Sequence, residues 1–117
     1  MNYTIYHNPK CSKCRATLGI LNSKGIEPTI VEYLKNPPSK VEWYEIIHKL
    51  NIQPTKLIRF KEEKAKELGI SATDDLTLEE WISILTENPV LIERPIVISD
   101  NGVIIGRPPE NVLSLFE

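Results

Sequence analysis

A mixed α/β fold is predicted for this chain by the order of its hydrophobic patterns. A β-prone run at residues 3–6 precedes apolar residues at helical spacing over about 12–24, and a second β-prone run covers 28–34. Because a helix separates these two strands, we expect them to be parallel, with a right-handed crossover. Residues 96–105, with the turn Asp100-Asn101-Gly102, predict an antiparallel hairpin. The four strands together predict a small mixed sheet.

The length and composition predict one globular domain over residues 1–117. Hydrophobic residues make up 41% and charged residues 26% of the chain, which is typical of a globular protein and unlike a disordered one. The formal net charge of −2 argues against a protein that binds nucleic acid through bulk positive charge.

The absence of long apolar runs predicts no membrane segment, and the start of the sequence shows no signal peptide. Two cysteines are too few for a secreted disulfide scaffold. We therefore expect a cytoplasmic protein, with both thiols normally reduced and with neither membrane nor nucleic acid as a partner.

The segment between the second strand and the hairpin is predicted to be all helical, over about residues 39–88. Two capping boxes mark helix starts inside it, one formed by Ser39 and Glu42 and the other by Thr77 and Glu80. The element order is therefore βαβ, then a helical insertion, then ββα.

Two shorter helices complete the predicted elements. A charged helix is expected over residues 62–68, with Glu62 and Lys66 paired one turn apart and Gly69 ending it. A last short helix is expected to begin at the two prolines of the segment 108–116.

The turn between the first strand and the first helix is where chemistry is expected. Cys11 lies there, and the free N–H groups and dipole of a helix N-terminus stabilise an anion. The same position lowers the pKa of a thiol. Lys10, Lys13 and Arg15 add positive charge nearby. Cys11 is therefore the candidate nucleophile, and an anionic substrate is favoured.

Cys14 forms a Cys-x-x-Cys pair with Cys11, and this spacing leaves several interpretations open. The spacing is found in redox pairs, but Cys14 also shares a helical face with Leu21 and so fits a buried core residue. A structural zinc site needs four ligands, and only His7 and the distant His48 could complete it, so no metal site is predicted. His7 fits either a hydrogen-bonding residue at a strand end or a group that transfers protons.

Three later arginines sharpen the prediction when they are considered together with Cys11. The rigid guanidinium fork suits planar or tetrahedral oxyanions. Arg59, Arg94 and Arg107 could each also be a solvated or locally paired side chain, and Arg15 fits either an outer anion contact or a surface charge.

Motifs spread over nearly the whole chain resemble one known family. They include Tyr6-His7-Asn8-Pro9-x-Cys11, Arg15-x-Thr17-Leu18, Asn88-Pro89-x-Leu91-Ile92-x-Arg94-Pro95-Ile96-Val97 and Arg107-Pro108-x-Glu110. In these motifs the chain is similar to the glutaredoxin-coupled, ArsC-like arsenate reductases of the thioredoxin-like superfamily.

This resemblance implies a thioredoxin-like mixed four-stranded sheet with an all-helical insertion between strands 2 and 3. It implies Cys11 as the catalytic nucleophile and a cis peptide bond between Arg94 and Pro95. It also implies an oxyanion-binding set and a supporting set. The first set is Arg59, Arg94 and Arg107, and the second is His7, Arg15 and Pro95.

The resemblance further implies a reaction and its partners. Arsenate bound by the arginines would be attacked by the Cys11 thiolate, and a glutathione thiol would then attack the adduct and release arsenite. Glutaredoxin would reduce the mixed disulfide left on Cys11. The expected role is arsenic detoxification by a monomer without a bound cofactor, with glutathione as co-substrate.

Cys14 departs from the best-known pattern of this family, which has no cysteine three residues after the nucleophile. One hypothesis is that Cys14 resolves the adduct by forming a disulfide with Cys11. The enzyme would then accept electrons from thioredoxin as well as from glutaredoxin.

Two other functions remain open at this point. Spx-type transcription regulators resemble this fold, carry a Cys-x-x-Cys pair as a redox switch and bind RNA polymerase. The His7-Asn8-Pro9 and Arg107-Pro108-Pro109-Glu110 segments are instead of the reductase type. The other function is a thiol oxidoreductase of the same fold with another substrate, which the fold alone does not exclude.

Overall fold

The computed structural model describes residues 2–116, which form two compact units. The sheet unit comprises residues 2–36 and 94–116, and the helical unit comprises residues 37–93. The single domain expected over residues 1–117 stays a prediction, and its first and last residues lie outside the described part. Within that part, every helix is too short or too polar to cross a membrane.

The sheet unit contains the predicted mixed four-stranded sheet. Its strand order is β2-β1-β3-β4, with β1 parallel to β2 and antiparallel to β3, and with β3 and β4 forming the predicted hairpin. The thioredoxin-like mixed sheet predicted for the chain is therefore confirmed. The strands are β1 (Tyr3–His7), β2 (Thr29–Glu32), β3 (Ile96–Ser99) and β4 (Gly102–Ile105).

Two helices pack on this sheet, α1 (Ser12–Ser23) and the 3₁₀ helix Pro109–Phe116. They cover an apolar cluster drawn from the strands and from both helices. Full burial of one such aliphatic or aromatic side chain stabilises the fold by roughly 1.5–3 kcal/mol. This cluster fixes α1 against the strand that precedes it. Its buried members are Tyr3, Ile5, Leu21, Val97, Val112 and Leu115.

The helical unit contains α2 (Lys40–Leu50), α3 (Glu63–Leu68), α4 (Leu78–Glu87) and two short 3₁₀ helices, Pro54–Leu57 and Pro89–Leu91. Both predicted capping boxes are present, at the starts of α2 and α4. In each box the hydroxyl accepts from the N3 backbone N–H, at 3.2 and 3.1 Å, and the N3 carboxylate accepts from the cap N–H, at 3.0 and 3.2 Å. Each cap contributes about 1 kcal/mol.

Two local predictions differ from the structure. The second strand ends at Glu32, because the Glu32 carbonyl accepts hydrogen bonds from the N–H groups of Lys35 and Asn36 and so starts a turn. The predicted pair of Glu62 with Lys66 is wrong. Glu62 precedes α3 in an extended conformation (φ −67°, ψ 147°), so its carboxylate does not follow the helical i,i+4 spacing and pairs with Arg59 instead.

Candidate active site

A tight turn places Cys11 at the start of α1. The Cys11 N–H donates to the Asn8 carbonyl at 2.9 Å, and the Asn8 side-chain oxygen accepts from the Lys10 N–H at 3.1 Å. Asparagine followed by proline is typical of the first two positions of such a turn. Cys11 then occupies the N-cap position of α1 (φ −94°, ψ 122°), where the helix N–H groups lack partners within the helix.

The surroundings of the Cys11 thiol favour its anionic form. Burial raises the pKa of Cys11, but this effect is outweighed by hydrogen bonds from the Cys14 N–H and thiol, by the charge of Arg94 and by the Lys13 N–H. The net result is a pKa below the ordinary thiol value. A lowered pKa makes the nucleophilic thiolate available near neutral pH.

Cys14 has the opposite character and is completely buried, with 0% of its surface exposed. Burial is the main reason why the pKa of Cys14 rises to about 12, and the neighbouring Cys11 raises it further. A hydrogen bond from the Asn8 N–H opposes this rise. The pair therefore combines a Cys11 thiol of lowered pKa with a Cys14 thiol of raised pKa that donates a hydrogen bond to the Cys11 sulfur.

His7 ends β1 and is buried. Burial lowers the pKa of His7, the Glu32 carboxylate raises it, and the Arg15 charge lowers it again, with a net decrease. The imidazole is therefore neutral at pH 7, and its buried Nδ1 atom makes no hydrogen bond in the structure. The supporting role expected for His7 stays a prediction.

Arg15 braces the loop that carries Cys11. Its Nη1 atom donates to the Pro9 carbonyl at 2.8 Å, and the residue is exposed. Lys10 and Lys13 are exposed as well. The positive charge that lowers the pKa of the Cys11 thiol belongs to Arg94, and Lys13 lowers the same pKa through its backbone N–H.

Arg94 and Arg107 lie together in the sheet unit. The Nη1 atom of Arg107 donates to the Arg94 carbonyl at 3.2 Å, and the Nε and Nη1 atoms of Arg94 are buried. The cis peptide bond expected between Arg94 and Pro95 is confirmed, and the bond between Arg107 and Pro108 is also cis. Cys11, Arg94 and Arg107 thus belong to one unit, and the role of the two arginines as oxyanion ligands stays a prediction.

Gly106 lets these loops approach α1, and the sequence analysis missed it. A Cβ atom at this position would lie 2.6 Å from Thr17 Oγ1 and 2.8 Å from Pro95 Cγ. The Gly106 N–H also donates to the Pro95 carbonyl at 2.8 Å. A glycine at the end of a strand indicates close backbone approach, which was the available signal.

Arg59 lies in the helical unit. Its guanidinium pairs with Glu62, and its Nε atom lies 4.0 Å from Glu93 Oε1. Its backbone N–H donates to the Leu91 carbonyl at 2.8 Å, beside the bridge between Ile58 and Ile92. The role of Arg59 as an oxyanion ligand stays a prediction. Among residues 2–116, no three His, Cys, Asp or Glu side chains are grouped as metal ligands.

The lowered pKa of Cys11 predicts a pH-dependent reactivity. The rate of alkylation by iodoacetamide should rise with pH through a midpoint below that of an ordinary exposed thiol, because the pKa of Cys11 is lowered. Replacing Arg94 by methionine should move that midpoint upward, because a positive charge that stabilises the thiolate is removed. Lys10→Met is the matched control and should leave the midpoint in place. A wild-type midpoint at or above the ordinary value would contradict the prediction.

Comparison with known proteins places this geometry in a family. The family model described as "ArsC family" matches residues 6–115. The chain is 40% identical over 116 residues to an arsenate reductase of Escherichia coli, covering 99% of this chain and 82% of that protein. It is 42% identical over 112 residues to the uncharacterized protein YfgD of Escherichia coli (strain K12), covering 95% and 93%.

A solved structure shares both the fold and much of the sequence. The arsenate reductase from Vibrio cholerae superposes with a TM-score of 0.92, at 40% identity and over 98% of both chains. The residues matched by the family model include the Cys11 turn and the loops that carry Arg94 and Arg107. The chain therefore belongs to the ArsC family.

Proposed function

We propose that the protein is an arsenate reductase in which the Cys11 thiolate attacks an oxyanion held by arginines. The observation that carries this proposal is the position of Cys11 at the N-terminus of α1, where helix N–H groups and the charge of Arg94 lower the pKa of its thiol. The similarity to proteins named arsenate reductase, at 40% identity over nearly the whole chain, supports arsenate as the oxyanion.

The first step joins Cys11 to arsenic. Arg94 and Arg107, with Arg59 as a further expected ligand, would neutralise the arsenate oxygens through charge-assisted hydrogen bonds. The Cys11 sulfur attacks As(V), and one oxygen leaves as hydroxide, which is protonated to water. The product is a Cys11–S–As(V) adduct, with no change in oxidation state.

The second step transfers two electrons. A glutathione thiolate attacks the Cys11 sulfur, the S–As bond breaks, and its electron pair stays on arsenic. As(V) is thereby reduced to As(III), which leaves as arsenite, while the two sulfurs are oxidised to a mixed disulfide. Glutaredoxin then returns Cys11 to the thiolate and prepares the enzyme for another turnover.

The test is arsenate-dependent oxidation of NADPH in a coupled assay with glutathione, glutathione reductase and glutaredoxin. We expect NADPH consumption to match the arsenite formed, and phosphate should not replace arsenate because phosphorus is not reduced. Absence of arsenite from folded, reduced protein with every reductant would overturn the proposal.

A second function is supported by the contact between the two thiols. In this alternative the protein exchanges thiols and disulfides with another substrate, or acts as a redox-sensing regulator. This alternative is favoured if the two thiols oxidise reversibly while arsenate gives no turnover. An RNA polymerase pull-down would then distinguish a redox-sensing regulator, which binds the polymerase, from a thiol oxidoreductase, which does not.

Replacing Arg94 by lysine should lower kcat/KM for arsenate by at least about tenfold, although the charge is kept. Lysine cannot offer two parallel donors to an oxyanion, and a hydrogen bond to a charged group is worth about 1.5–3 kcal/mol. Steady-state kinetics measure the effect, and Lys24→Arg, a charge-preserving change at an exposed position at the C-terminal end of α1, is the control. A nearly unchanged kcat/KM would show that Arg94 is not an oxyanion ligand.

A further inference from the structure

Both cysteines are buried, but to different degrees. Cys11 retains 9% of its surface, and Cys14, one turn into α1, retains none. The Cys14 thiol donates a hydrogen bond to the Cys11 sulfur, so the two sulfurs are already adjacent before any reaction. The glutathione route proposed above leaves this second thiol without a role.

We infer that Cys14 is the resolving thiol, which attacks the Cys11 sulfur and makes the enzyme a substrate for a dithiol reductant of the thioredoxin type. This inference rests on the proposed function, because it uses the Cys11 adduct with arsenic. It differs from that function in the source of the second electron-donating sulfur.

The step balances without an external thiol. The Cys14 sulfur loses its proton to solvent and forms a bond to the Cys11 sulfur. The Cys11–arsenic bond breaks, its electron pair reduces As(V) to As(III), and arsenite leaves. The two thiols are oxidised to a Cys11–Cys14 disulfide, which supplies both electrons.

The adduct itself removes part of what keeps Cys14 protonated. In the free enzyme, the charge of the Cys11 thiolate and its hydrogen bond from the Cys14 thiol both raise the pKa of Cys14. Once the Cys11 sulfur is bonded to arsenic it no longer carries that charge. The hydrogen bond from the Asn8 N–H still favours the Cys14 anion. Burial still raises the pKa of Cys14, but the two effects of Cys11 that add to it are reduced once Cys11 has reacted.

Burial also decides how the disulfide is reduced. Cys11 keeps 9% of its surface exposed and Cys14 keeps none, so we expect an external thiol to attack the disulfide at Cys11. Attack at the Cys11 sulfur breaks the bond between the two cysteines, and the released Cys14 thiolate takes up a proton. The second thiol of a dithiol reductant then resolves the intermolecular disulfide and restores the Cys11 thiolate.

A single turnover without added thiol tests the inference. Fully reduced protein, freed of reductant, is mixed with excess arsenate, and arsenite, free thiols and intact mass are measured. We expect arsenite equimolar with protein, loss of both thiols and a mass lower by two hydrogen atoms. Cys14→Ser and Cys14→Ala should form no arsenite under these conditions, whereas Ser12→Ala, an exposed change in the same helical turn, should behave like wild type.

Each outcome separates this inference from the proposed function. Wild-type protein that forms arsenite only after glutathione is added would overturn the resolving role and leave the reductase intact. Arsenite absent with and without glutathione would overturn the proposed function and this inference with it. If the Cys14 variants do not fold, peptide mapping of wild-type protein after the single turnover still decides the matter, because an unbridged Cys14 contradicts the inference.

Discussion

Replacing Cys11 by serine is expected to lower kcat for arsenate by roughly three orders of magnitude or more, as is typical when a catalytic nucleophile is removed. The serine hydroxyl is not ionised near neutral pH, so the helix N–H groups and Arg94 have no anion to stabilise. Oxygen also cannot give up two electrons by forming a disulfide, and for this reason the reduction fails even if arsenate binds. The coupled NADPH assay and direct arsenite determination measure this loss.

The matched control for this variant is Ser12→Ala, at the next position and exposed. It keeps the backbone N–H groups of α1 and should retain most of the activity. Circular dichroism should show the same fold for both variants. Sustained arsenite production by Cys11→Ser would mean that another group is the nucleophile.

Replacing Gly106 by alanine is expected to destabilise the protein by about 1–3 kcal/mol, the usual cost of overpacking a tight interior. The new methyl group would lie 2.6 Å from the hydroxyl of Thr17 and 2.8 Å from the ring of Pro95. Thr17 is completely buried and its hydroxyl donates to the Lys13 carbonyl at 2.8 Å, so it cannot simply turn away. Relief requires movement of the loops that carry the arginines, and we therefore also expect a lower kcat/KM.

Gly19→Ala provides the matched control for this stability measurement. Gly19 lies inside α1, and a Cβ atom there would have no neighbour within 4 Å. Alanine in a helix interior should stabilise the protein by about 0.5–1 kcal/mol. Urea unfolding followed by circular dichroism should move the two variants in opposite directions, and equal stabilities for both would contradict the packing argument.

Elements that are specified by local sequence were predicted well. The hairpin and its Asn101-Gly102 turn are present, as are the capping boxes at Ser39 and Thr77. Each depends on residues only a few positions apart, so one short segment of sequence contains all the residues that interact. The pairing of β1 with β3 depends on residues far apart in the sequence, and the local patterns did not specify it.

Features that depend on tertiary packing could not be predicted from local sequence patterns. The spacing of Glu62 and Lys66 fits a helix, but Glu62 lies just before α3 and pairs with Arg59. Similarly, the charges of Lys10 and Lys13 are next to Cys11 in sequence, whereas the charge that lowers its pKa belongs to Arg94. Position along the chain does not report where a long side chain points.

The part of the candidate site that depends on neighbouring residues in the sequence could be predicted. A cysteine before a helix predicts a stabilised thiolate, and the structure shows N–H groups of that helix lowering the pKa of Cys11. The hydrogen bond from the Asn8 N–H to Cys14 and the close approach at Gly106 depend on a backbone fold that no spacing rule describes.

The pairing of Tyr3 with Ser99 has a consequence for biosynthesis. Synthesis proceeds from the N-terminus, so both cysteines leave the ribosome well before β3 and Arg94 exist. During that interval β1 lacks one of its two neighbours in the sheet, and the Cys11 thiol lacks the cation that lowers its pKa. The nascent chain therefore carries a Cys11 thiol without this charge, and the full set of groups that lowers its pKa is complete only after Arg94 has been added.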